Sequence, residues 1–383
     1  MLRSSAIVRV LFDYRPALRQ RSGVGEYVVR LLEAFAATKP PDDELWLFSS
    51  SARDRVLPSQ IPQGVRALDR RIPVRVLNMA WHRLEWPPVE MLAGQSFDIL
   101  HSPHPLLIPA RRGARIVTIH DLDFLRHPER SAAEVRRDYA RLVEDHAHRA
   151  DHVVVSSAYT AGEVHQRLGV PRSRISVCRV GAPAWPARQT KPRPGHILFM
   201  GTLEPRKNVA GLLEAYAHLL HRLPDAPDLV LAGRATAAAQ PWLDALKQPP
   251  LAGRARHLGY VTDDVRRELY EGARLLVLPS FDEGFGIPVL EAMTVGVPVV
   301  AAERGALPEV LGDAGQLVDP MDAPSIAQAM ERVLREDRFA ELCTSRGLRR
   351  ARTFNWDASA RALAAAYAEA LEREREQRSR TPR

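Results

Sequence analysis

The chain has 383 residues, more than a single hydrophobic core usually serves, so two domains are expected. Its 45% hydrophobic and 26% charged residues exclude a disordered or fibrous protein, and no apolar run reaches the roughly 18 residues of a membrane-spanning helix. The net charge of +8 lies mostly in residues 1–180, where 27 basic residues face 20 acidic ones. We therefore expect the two halves to meet different partners.

The first half, read in chain order, alternates apolar runs with helix-like stretches. Strands are predicted at 7–14, 44–50, 97–103, 114–121 and 151–157, with helices after "SGVG" and after the last of these strands. Such alternation indicates an α/β protein with a parallel sheet and helices on both faces. Ligands of such sheets bind beyond the carboxyl ends of the strands, where several of these runs end in polar residues.

A proline-rich stretch, "APAWPARQTKPRPG" (182–195), is predicted to link two domains. After it a second series of strands is predicted at 196–202, 228–234, 255–261, 273–280, 297–302 and 315–320. The segment from Trp356 is predicted to be one long helix with an apolar stripe through Leu363, Tyr367 and Leu371. The predicted domains are 1–185 and 194–353, followed by a C-terminal helical segment, 354–383.

Two cysteines far apart in the chain, Cys178 and Cys343, indicate a reducing compartment and no disulfide framework. Arg9 interrupts the only short apolar stretch near the start, so no signal peptide is predicted and a cytoplasmic location is expected. The sequence pI of about 9.8 alone would suit a nucleic-acid binder. No recognition motif accompanies it, and we predict no nucleic-acid partner.

The stretch "PSFDEGFGIPVLEAM" (279–293) places two carboxylates, Glu283 and Glu291, around a glycine-rich loop that follows a predicted buried strand. Pro288 suits the first turn of a helix that should run to Gly296. The amides at that helix start favour an anion, so a carboxylate beside them needs a ligand. Sugar hydroxyls suit Glu283, and a ribose diol suits Glu291. The amides in question belong to Gly284, Phe285, Gly286 and Ile287.

This spacing resembles the E-x7-E motif of family-4 type, retaining glycosyltransferases. "EAMTVGVPVVAA" and "LPEVLGDAGQLVDP" are similar to the same family, and the resemblance covers nearly the whole chain. It implies the GT-B fold: two Rossmann-like, doubly wound domains facing a cleft, with a C-terminal helix that crosses back to the first domain. It also implies that Glu283 holds the donor sugar near its reacting face and that Glu291 binds the nucleotide ribose.

The stretch "FMGTLEPRKN" (199–208) places Arg206 and Lys207 between a strand and a helix, where two cations suit a pyrophosphate. Asn208 is expected to cap the helix. Many relatives have an arginine directly after Gly201, where this chain has Thr202, so Arg206 is the candidate for the second charge. The resemblance also implies donor contacts by Tyr260, Val261 and Gly25, the last in the glycine stretch "RSGVGEY" of the first domain.

His120 and Asp121 end the strand "ARIVTIH". In the family a His-Asp pair at this point lies beside the donor sugar and the acceptor, so His120 is predicted to be catalytic and Asp121 to bind sugar or acceptor. "DLD" (121–123) imitates a metal-binding motif of another glycosyltransferase class. We discount it, because the cations of the phosphate loop can stabilise the leaving group without metal. No metal and no cofactor are predicted.

The resemblance implies transfer of a sugar from a nucleotide-sugar, with GDP-mannose as the first candidate, to a glycan or undecaprenyl-diphosphate-linked acceptor. A glycan phosphorylase or synthase, a nucleotide-sugar 2-epimerase and a non-catalytic sensor remain alternatives. The stretch 70–92 interleaves arginines with Trp81, Leu84 and Trp86, which predicts contact with an anionic membrane surface on its inner, cytoplasmic face. Packing of both tryptophans on the sheet is the alternative.

Overall fold

The computed structural model describes residues 7–18, 23–128 and 138–380. The chain divides into two compact units. Unit 1 comprises Met1–Gly181 together with Asn355–Arg383, and unit 2 comprises Ala182–Phe354. The proline-rich stretch 182–195 therefore belongs to unit 2, and the C-terminal segment belongs to unit 1.

Unit 1 is built on a seven-stranded parallel sheet with the order β3-β2-β1-β4-β5-β6-β7. The order reverses between β1 and β4, which creates the crevice where open α/β sheets bind ligands. The strands are β1 Arg9–Asp13, β2 Glu44–Ser50, β3 Val65–Arg70, β4 Ile99–Ser102, β5 Ala114–Ile119, β6 His152–Val155 and β7 Ile175–Val177.

Helices cover both faces of this sheet, because its central strands are buried along nearly their whole length and need cover on each side. They are α1 Gly23–Thr38, α2 Val74–Leu84, α3 Val89–Ala93, α4 Asp123–Arg126, α5 Ala140–Arg149 and α6 Ala158–Leu168. The last helix of the chain, α14 Trp356–Arg380, completes unit 1.

The predicted packing of the C-terminal helix on the first unit is confirmed. Leu363 and Tyr367 of α14 are buried, and α14 packs along α1 and β5. The Tyr367 hydroxyl lies 2.7 Å from Nδ1 of His101, a fully buried residue of β4. The apolar stripe of α14 therefore packs against unit 1, and the contact between Tyr367 and His101 sets the orientation of the helix.

Unit 2 repeats the architecture with a six-stranded parallel sheet of order β10-β9-β8-β11-β12-β13. Here the order reverses between β8 and β11. The strands are β8 His196–Met200, β9 Leu229–Ala232, β10 Ala255–His257, β11 Ala273–Leu278, β12 Val299–Ala302 and β13 Gln316–Val318. The helices are α7 Val209–Arg222, α8 Gln240–Ala245, α9 Asp263–Glu271, α10 Ile287–Val295, α11 Leu307–Leu311, α12 Ala323–Arg335 and α13 Asp337–Ala351.

The two units thus form two Rossmann-like α/β sheets, as the sequence predicts. Every predicted strand is present, and most are two or three residues shorter than the apolar runs suggest. Two strands were not predicted: β3, "VRALDR", which is mostly polar and lies at a sheet edge, and β7, which has three residues. Within the described residues, no helix combines the length and apolar character needed to cross a bilayer.

Candidate active site

The predicted donor-binding loops of unit 2 follow β8 and β11, the two strands between which the sheet order reverses. Phe281 in the second loop donates its backbone N–H to the carbonyl of Arg206 in the first, at 2.9 Å. The topology therefore brings Arg206 and Lys207 beside Glu283, although 76 positions separate Lys207 from Glu283 in sequence.

The two cations and the carboxylate form one buried cluster. Lys207 Nζ lies 2.6 Å from Glu283 Oε1, and Ser280 donates its hydroxyl to the same oxygen at 2.7 Å. Arg206 Nη1 lies 3.8 Å from the other oxygen, Oε2, and a second amine of the same guanidinium pairs with Glu204 at 3.1 Å. Glu283 and Lys207 are both buried, so the ion pair is poorly screened by solvent.

The cluster keeps Glu283 ionised. Burial alone would raise the pKa of this carboxyl, but the charges of Lys207 and Arg206 outweigh burial and lower the pKa below its usual value. Because Glu204 pairs with Arg206, the cluster holds two cations and two carboxylates and carries no net charge. An incoming diphosphate could still bind to Lys207 and Arg206, since an ammonium and a guanidinium each carry several N–H donors that form strong, charge-assisted hydrogen bonds to phosphate.

The helix after the Gly-Phe-Gly loop begins and ends as its sequence predicts. Gly286 caps its start with a φ of 96°, Pro288 lies in the first turn of α10, and Gly296 ends the helix in the left-handed region. Phe285 is buried, and its ring packs edge-on against Phe354 at 5.8 Å. It anchors the loop, while Gly284, Gly286 and Ile287 lie where the helix begins.

Asn208 also behaves as predicted. It caps α7, its side chain accepting from the Gly211 N–H at 3.2 Å, and this fixes the turn that carries Arg206 and Lys207. Gly201 ends β8 and Thr202 follows it, both half-buried. At Gly233, at the end of β9, an added Cβ would lie 2.0 Å from the carbonyl oxygen of Gly201, so only glycine lets these two strand ends meet.

Glycine is also required at Gly305, which the sequence did not single out. Its φ is 61°, and an added Cβ would lie 2.6 Å from the backbone nitrogen of Glu283. The next residue, Ala306, donates its N–H to the carbonyl of Glu283 at 2.8 Å. The segment after β12 therefore packs closely against the backbone of Glu283 and forms a hydrogen bond to it. Ser280 was missed as well, because a serine after a buried strand carries no signal until its partner is known.

The other predicted donor residues of unit 2 lie on neighbouring loops. Glu291 is buried on α10, where Arg266 Nη1 approaches its Oε1 at 3.4 Å. Tyr260 and Val261 follow β10, and the exposed ring of Tyr260 lies 5.2 Å from the guanidinium carbon of Arg234. An exposed aromatic ring beside a cation is suited to stack on a nucleobase.

In unit 1, His120 lies at the carboxyl end of β5 with a defined tautomer. Its Nε2 is 3.1 Å from the carbonyl oxygen of Pro103, which can only accept, so Nε2 carries the proton. Burial lowers the pKa of His120 and keeps the ring neutral at pH 7. Nδ1 is then a hydrogen-bond acceptor. The neighbouring Asp121 accepts from the N–H of Asp123 at 3.3 Å, so the aspartates of "DLD" stabilise a local turn.

Gly25 lies in the first turn of α1, not in a loop as the glycine-rich stretch suggested, while Arg21 and Ser22 of that stretch lie outside the described residues. Tyr27 on the same helix places its ring 5.1 Å from His120, edge to face. Backbone amides of a helix start can bind phosphate as those of a glycine loop do. The role of Gly25 as a phosphate contact stays a prediction.

A further cluster of polar side chains lies at the ends of β1 and β4 in unit 1. Asp13, fully buried, binds Arg15 at 2.6 Å and His104 Nε2 at 3.1 Å. Burial alone would raise the pKa of Asp13, but Arg15 and His104 lower it far below its usual range. Across residues 7–18, 23–128 and 138–380, no three His, Cys, Asp or Glu side chains are arranged to hold a metal ion.

Comparison with known proteins agrees with this geometry. Residues 21–183 match the profile of the family described as Glycosyltransferase Family 4, and residues 194–336 match the one described as Glycosyl transferases group 1. Together the matches take in most of both units. The chain belongs to the group 1, family 4 glycosyltransferases. Its function is therefore the transfer of sugars, and the two Rossmann-like units are those of the GT-B fold.

The relatives of this glycosyltransferase include enzymes that build O-antigen. The O-antigen chain mannosyltransferase B of Escherichia coli is 29% identical, over 91% of this chain and 97% of that protein. Among solved structures, sucrose-phosphate synthase from Thermosynechococcus elongatus superposes with a TM-score of 0.76 at 21% identity, covering 94% of this chain and 98% of that one. HepE from Anabaena, solved with UDP and glucose, gives 0.71 at 17% identity, with 94% and 99% covered. At these identities the two structures show the fold alone.

One surface prediction for this glycosyltransferase is wrong in part. Trp81, predicted to face a membrane or the sheet, is 1% exposed on α2 and stacks on Phe48 at 5.2 Å, with the Arg15 guanidinium 4.7 Å from its ring. Trp86 and Leu84 are 57% and 69% exposed. The two tryptophans differ because Trp81 lies on the inner face of α2, whereas Trp86 follows the end of that helix.

Proposed function

We propose that this glycosyltransferase moves a hexose from a nucleotide diphosphate sugar, with GDP-mannose as the first candidate, to a glycan or polyprenyl-diphosphate-linked acceptor with retention of anomeric configuration. The observation that carries the proposal is the buried cluster of Lys207, Arg206 and Glu283 where the unit 2 sheet reverses its order. It combines cations for a diphosphate with a carboxylate for sugar hydroxyls.

The cations act on the leaving group. As the bond between the anomeric carbon and the phosphate oxygen breaks, negative charge grows on the departing diphosphate. Lys207 and Arg206 are already in place to stabilise that charge, with no reorganisation needed during the reaction. When a donor is bound, Lys207 is shared between the diphosphate and Glu283, which lies 2.6 Å from it.

Glu283 is suited to bind hydroxyls and poorly suited to act as a nucleophile. Its Oε1 already accepts from Lys207 and Ser280, and the Lys207 and Arg206 cations hold its pKa low. A carboxylate that is so strongly stabilised is a weak nucleophile. Its remaining lone pairs can still accept hydrogen bonds from two sugar hydroxyls.

We therefore infer attack from the face of the leaving group. The acceptor oxygen bonds to the anomeric carbon, the phosphate oxygen leaves with the bonding electrons, and the acceptor proton passes to that phosphate oxygen. His120, neutral and with Nδ1 as an acceptor, would orient a hydroxyl of the sugar or of the acceptor. No step requires a metal ion.

The experiment that tests the proposal offers the protein GDP-mannose, UDP-glucose and UDP-N-acetylglucosamine with mannose-containing glycans as acceptors. Expected results are transfer of mannose, an axial product linkage by NMR, and unchanged turnover in excess chelator. An inverted product would contradict retention. Loss of transfer in chelator that manganese restores would contradict metal independence.

The same assay separates the alternatives. Sugar phosphate released from a polysaccharide by inorganic phosphate would indicate a phosphorylase, and conversion of the donor with no acceptor would indicate an epimerase. Donor binding, seen as a thermal shift, without turnover on any acceptor would indicate a sensor. The resemblance to O-antigen chain mannosyltransferase B, at 29% identity over most of both chains, supports mannose transfer over these.

The proposal extends to the anionic inner surface of a membrane as the place where a lipid-linked acceptor is met, with the enzyme on the cytoplasmic face. Five large apolar side chains between residues 76 and 91 are each more than half exposed, and exposed arginines alternate with them. Apolar contacts and about 1 kcal/mol per basic residue would give weak, salt-sensitive binding. The apolar residues are Val76, Met79, Leu84, Trp86 and Met91, and the arginines are Arg71, Arg75 and Arg83.

Co-sedimentation with anionic and neutral vesicles at low and moderate salt tests this contact. We expect binding to anionic vesicles only, weakened by salt and by the paired change Leu84→Ser and Trp86→Ser. Leu342→Ser is the matched control, because Leu342 is also exposed but lies in unit 2. Equal, negligible binding to both vesicle types would indicate a soluble acceptor.

A further inference from the structure

Glu291, the predicted ribose ligand, is 4% exposed and is approached by side chains of the preceding helix, α9. Arg266 Nη1 lies 3.4 Å from Glu291 Oε1, and Arg266 Nη2 lies 3.3 Å from Asp263 Oδ1. Tyr270, one turn further along α9, is fully buried. The buried hydroxyl of Tyr270 has no hydrogen-bond partner among the described residues, and burial together with the charge of Glu291 raises the pKa of Tyr270 well above its usual value.

A third side chain holds Arg266 and Tyr270 in place. The Trp185 ring lies 5.4 Å from the guanidinium carbon of Arg266 and 5.8 Å from the Tyr270 ring. Trp185 belongs to the proline-rich stretch that the sequence marked only as a linker. The Arg266 guanidinium lies on an aromatic ring and has one amine paired with Asp263, so it has little freedom to move away from the Glu291 carboxylate.

We propose that Arg266 is a positioning residue that holds the Glu291 carboxylate in the orientation that accepts the ribose hydroxyls of the donor; this rests on the proposed function. A glutamate side chain has three rotatable bonds, and a diol is bound well only when the carboxylate is already oriented. Arg266 Nη1 engages one carboxylate oxygen, Oε1, from the side of α9, and its planar guanidinium donates in a fixed geometry.

The proposal is specific to the ribose hydroxyls, so removal of the Arg266 side chain should change how strongly the protein prefers ribose to deoxyribose. The probes are GDP against 2′-deoxy-GDP and UDP against 2′-deoxy-UDP, measured by titration calorimetry. For the nucleotide pair that binds, we expect the unmodified protein to prefer ribose by about tenfold, the scale of one hydrogen bond to a charged group. Arg266→Gln should reduce the preference to about threefold or less, with affinity for the deoxynucleotide unchanged.

Arg267→Gln is the matched control, because the next residue on α9 pairs with Glu271 at 2.7 Å on the surface. It should leave the preference intact. Should Arg266→Gln not fold, Arg266→Lys replaces it, since lysine keeps the charge but loses the planar guanidinium. An unchanged preference in the Arg266 variant would overturn the proposal, as would an equal loss of affinity for both nucleotides.

Glu291→Gln separates this inference from the proposed function. If it abolishes the preference while the Arg266 variant does not, Glu291 binds ribose without the help of Arg266 and only the positioning role fails. If Glu291→Gln itself leaves the preference unchanged, the assignment of Glu291 to ribose fails, and the positioning role with it. Failure of the unmodified protein to bind any of the four nucleotides would contradict the proposed donor class.

Discussion

The two units present different chemistry at the same edge of the same kind of sheet. In unit 2 the strand ends carry a buried ion-pair cluster, in which Lys207 and Arg206 surround the ionised Glu283. In unit 1 the strand ends carry imidazoles that burial keeps neutral. His120 binds a backbone carbonyl, and His101 is bonded to Tyr367 and Thr118 with a pKa lowered to about 3.

This difference shows how the same fold can be suited to two chemically different parts of the substrates. Charged clusters stabilise charge, so unit 2 suits a diphosphate whose charge grows during the reaction. Neutral imidazoles donate and accept hydrogen bonds without attracting phosphate, so unit 1 suits the hydroxyls of a sugar or an acceptor. The exception in unit 1 is Asp13, whose charge is matched by Arg15 at 2.6 Å.

The largest expected effect comes from Glu283→Gln, which keeps the shape of the side chain but removes its charge. Turnover should fall by about 10²–10³-fold, the scale of a lost transition-state contact, with the far-UV circular dichroism unchanged. Glu271→Gln, which alters a surface carboxylate on α9, is the control. Full turnover in Glu283→Gln would show that the Glu283 carboxylate has no catalytic role.

His120→Ala is expected to lower turnover by about 10²-fold, because a positioned hydrogen-bond acceptor is lost. The matched control is His165→Ala: this histidine of α6 also binds a carbonyl, that of Val170 at 2.9 Å, but lies away from the strand ends. Because the His120 pKa is lowered, acidification should reduce turnover only below about pH 6.5, the ordinary histidine value. Equal activity of the two variants would assign His120 a structural role.

Lys207→Ala should weaken binding of the nucleotide-sugar by about 2–3 kcal/mol, since a charge-assisted contact at a desolvated site is lost. Lys191→Ala is the control, because Lys191 pairs with Asp337 at 2.6 Å on the surface of the same unit. Calorimetry with the donor and with its nucleotide diphosphate locates the effect at the phosphates. Unchanged affinity for both would show that Lys207 serves only to balance Glu283.

The sequence predicted which loops carry the donor site, but not how their residues are joined. The Glu283 and Lys207 positions were readable because a glycine-rich loop, a proline in the first helical turn and an Arg-Lys pair each have a local signal. Gly305 and Ser280 have none, since their importance comes from contacts with Glu283 across loops. Trp81 was misassigned in part, because α2 buries one face while its arginines and Met79 remain exposed.

The smallest effect expected at neutral pH is on stability, and its pH dependence distinguishes the two units. Burial lowers the pKa of His82, His146 and His152 in unit 1 to about 4. Below pH 6.5 the unfolded chain takes up protons that folded unit 1 refuses, so its free energy of unfolding falls as the pH drops from 6.5 towards 4.

Hydrogen exchange read by mass spectrometry across this pH range should show unit 1 peptides losing protection first. In unit 2, burial also lowers the pKa of His196, whereas the Glu283 carboxylate, whose pKa is lowered, keeps its stabilising charge until the pH falls below its usual 4.5. Simultaneous loss of protection in both units would mean that they unfold as one, and earlier loss in unit 2 would contradict the assignment of the buried histidines.

The most direct test of the division between the units is the crystal structure of the protein with GDP-mannose, or with the nucleotide-sugar that a thermal-shift panel selects. We expect the diphosphate oxygens about 3 Å from Lys207 Nζ and the Arg206 guanidinium, and hexose hydroxyls on Glu283. A diphosphate held by the His120 and Asp13 edge of unit 1, with the Lys207–Glu283 pair untouched by the donor, would contradict the account.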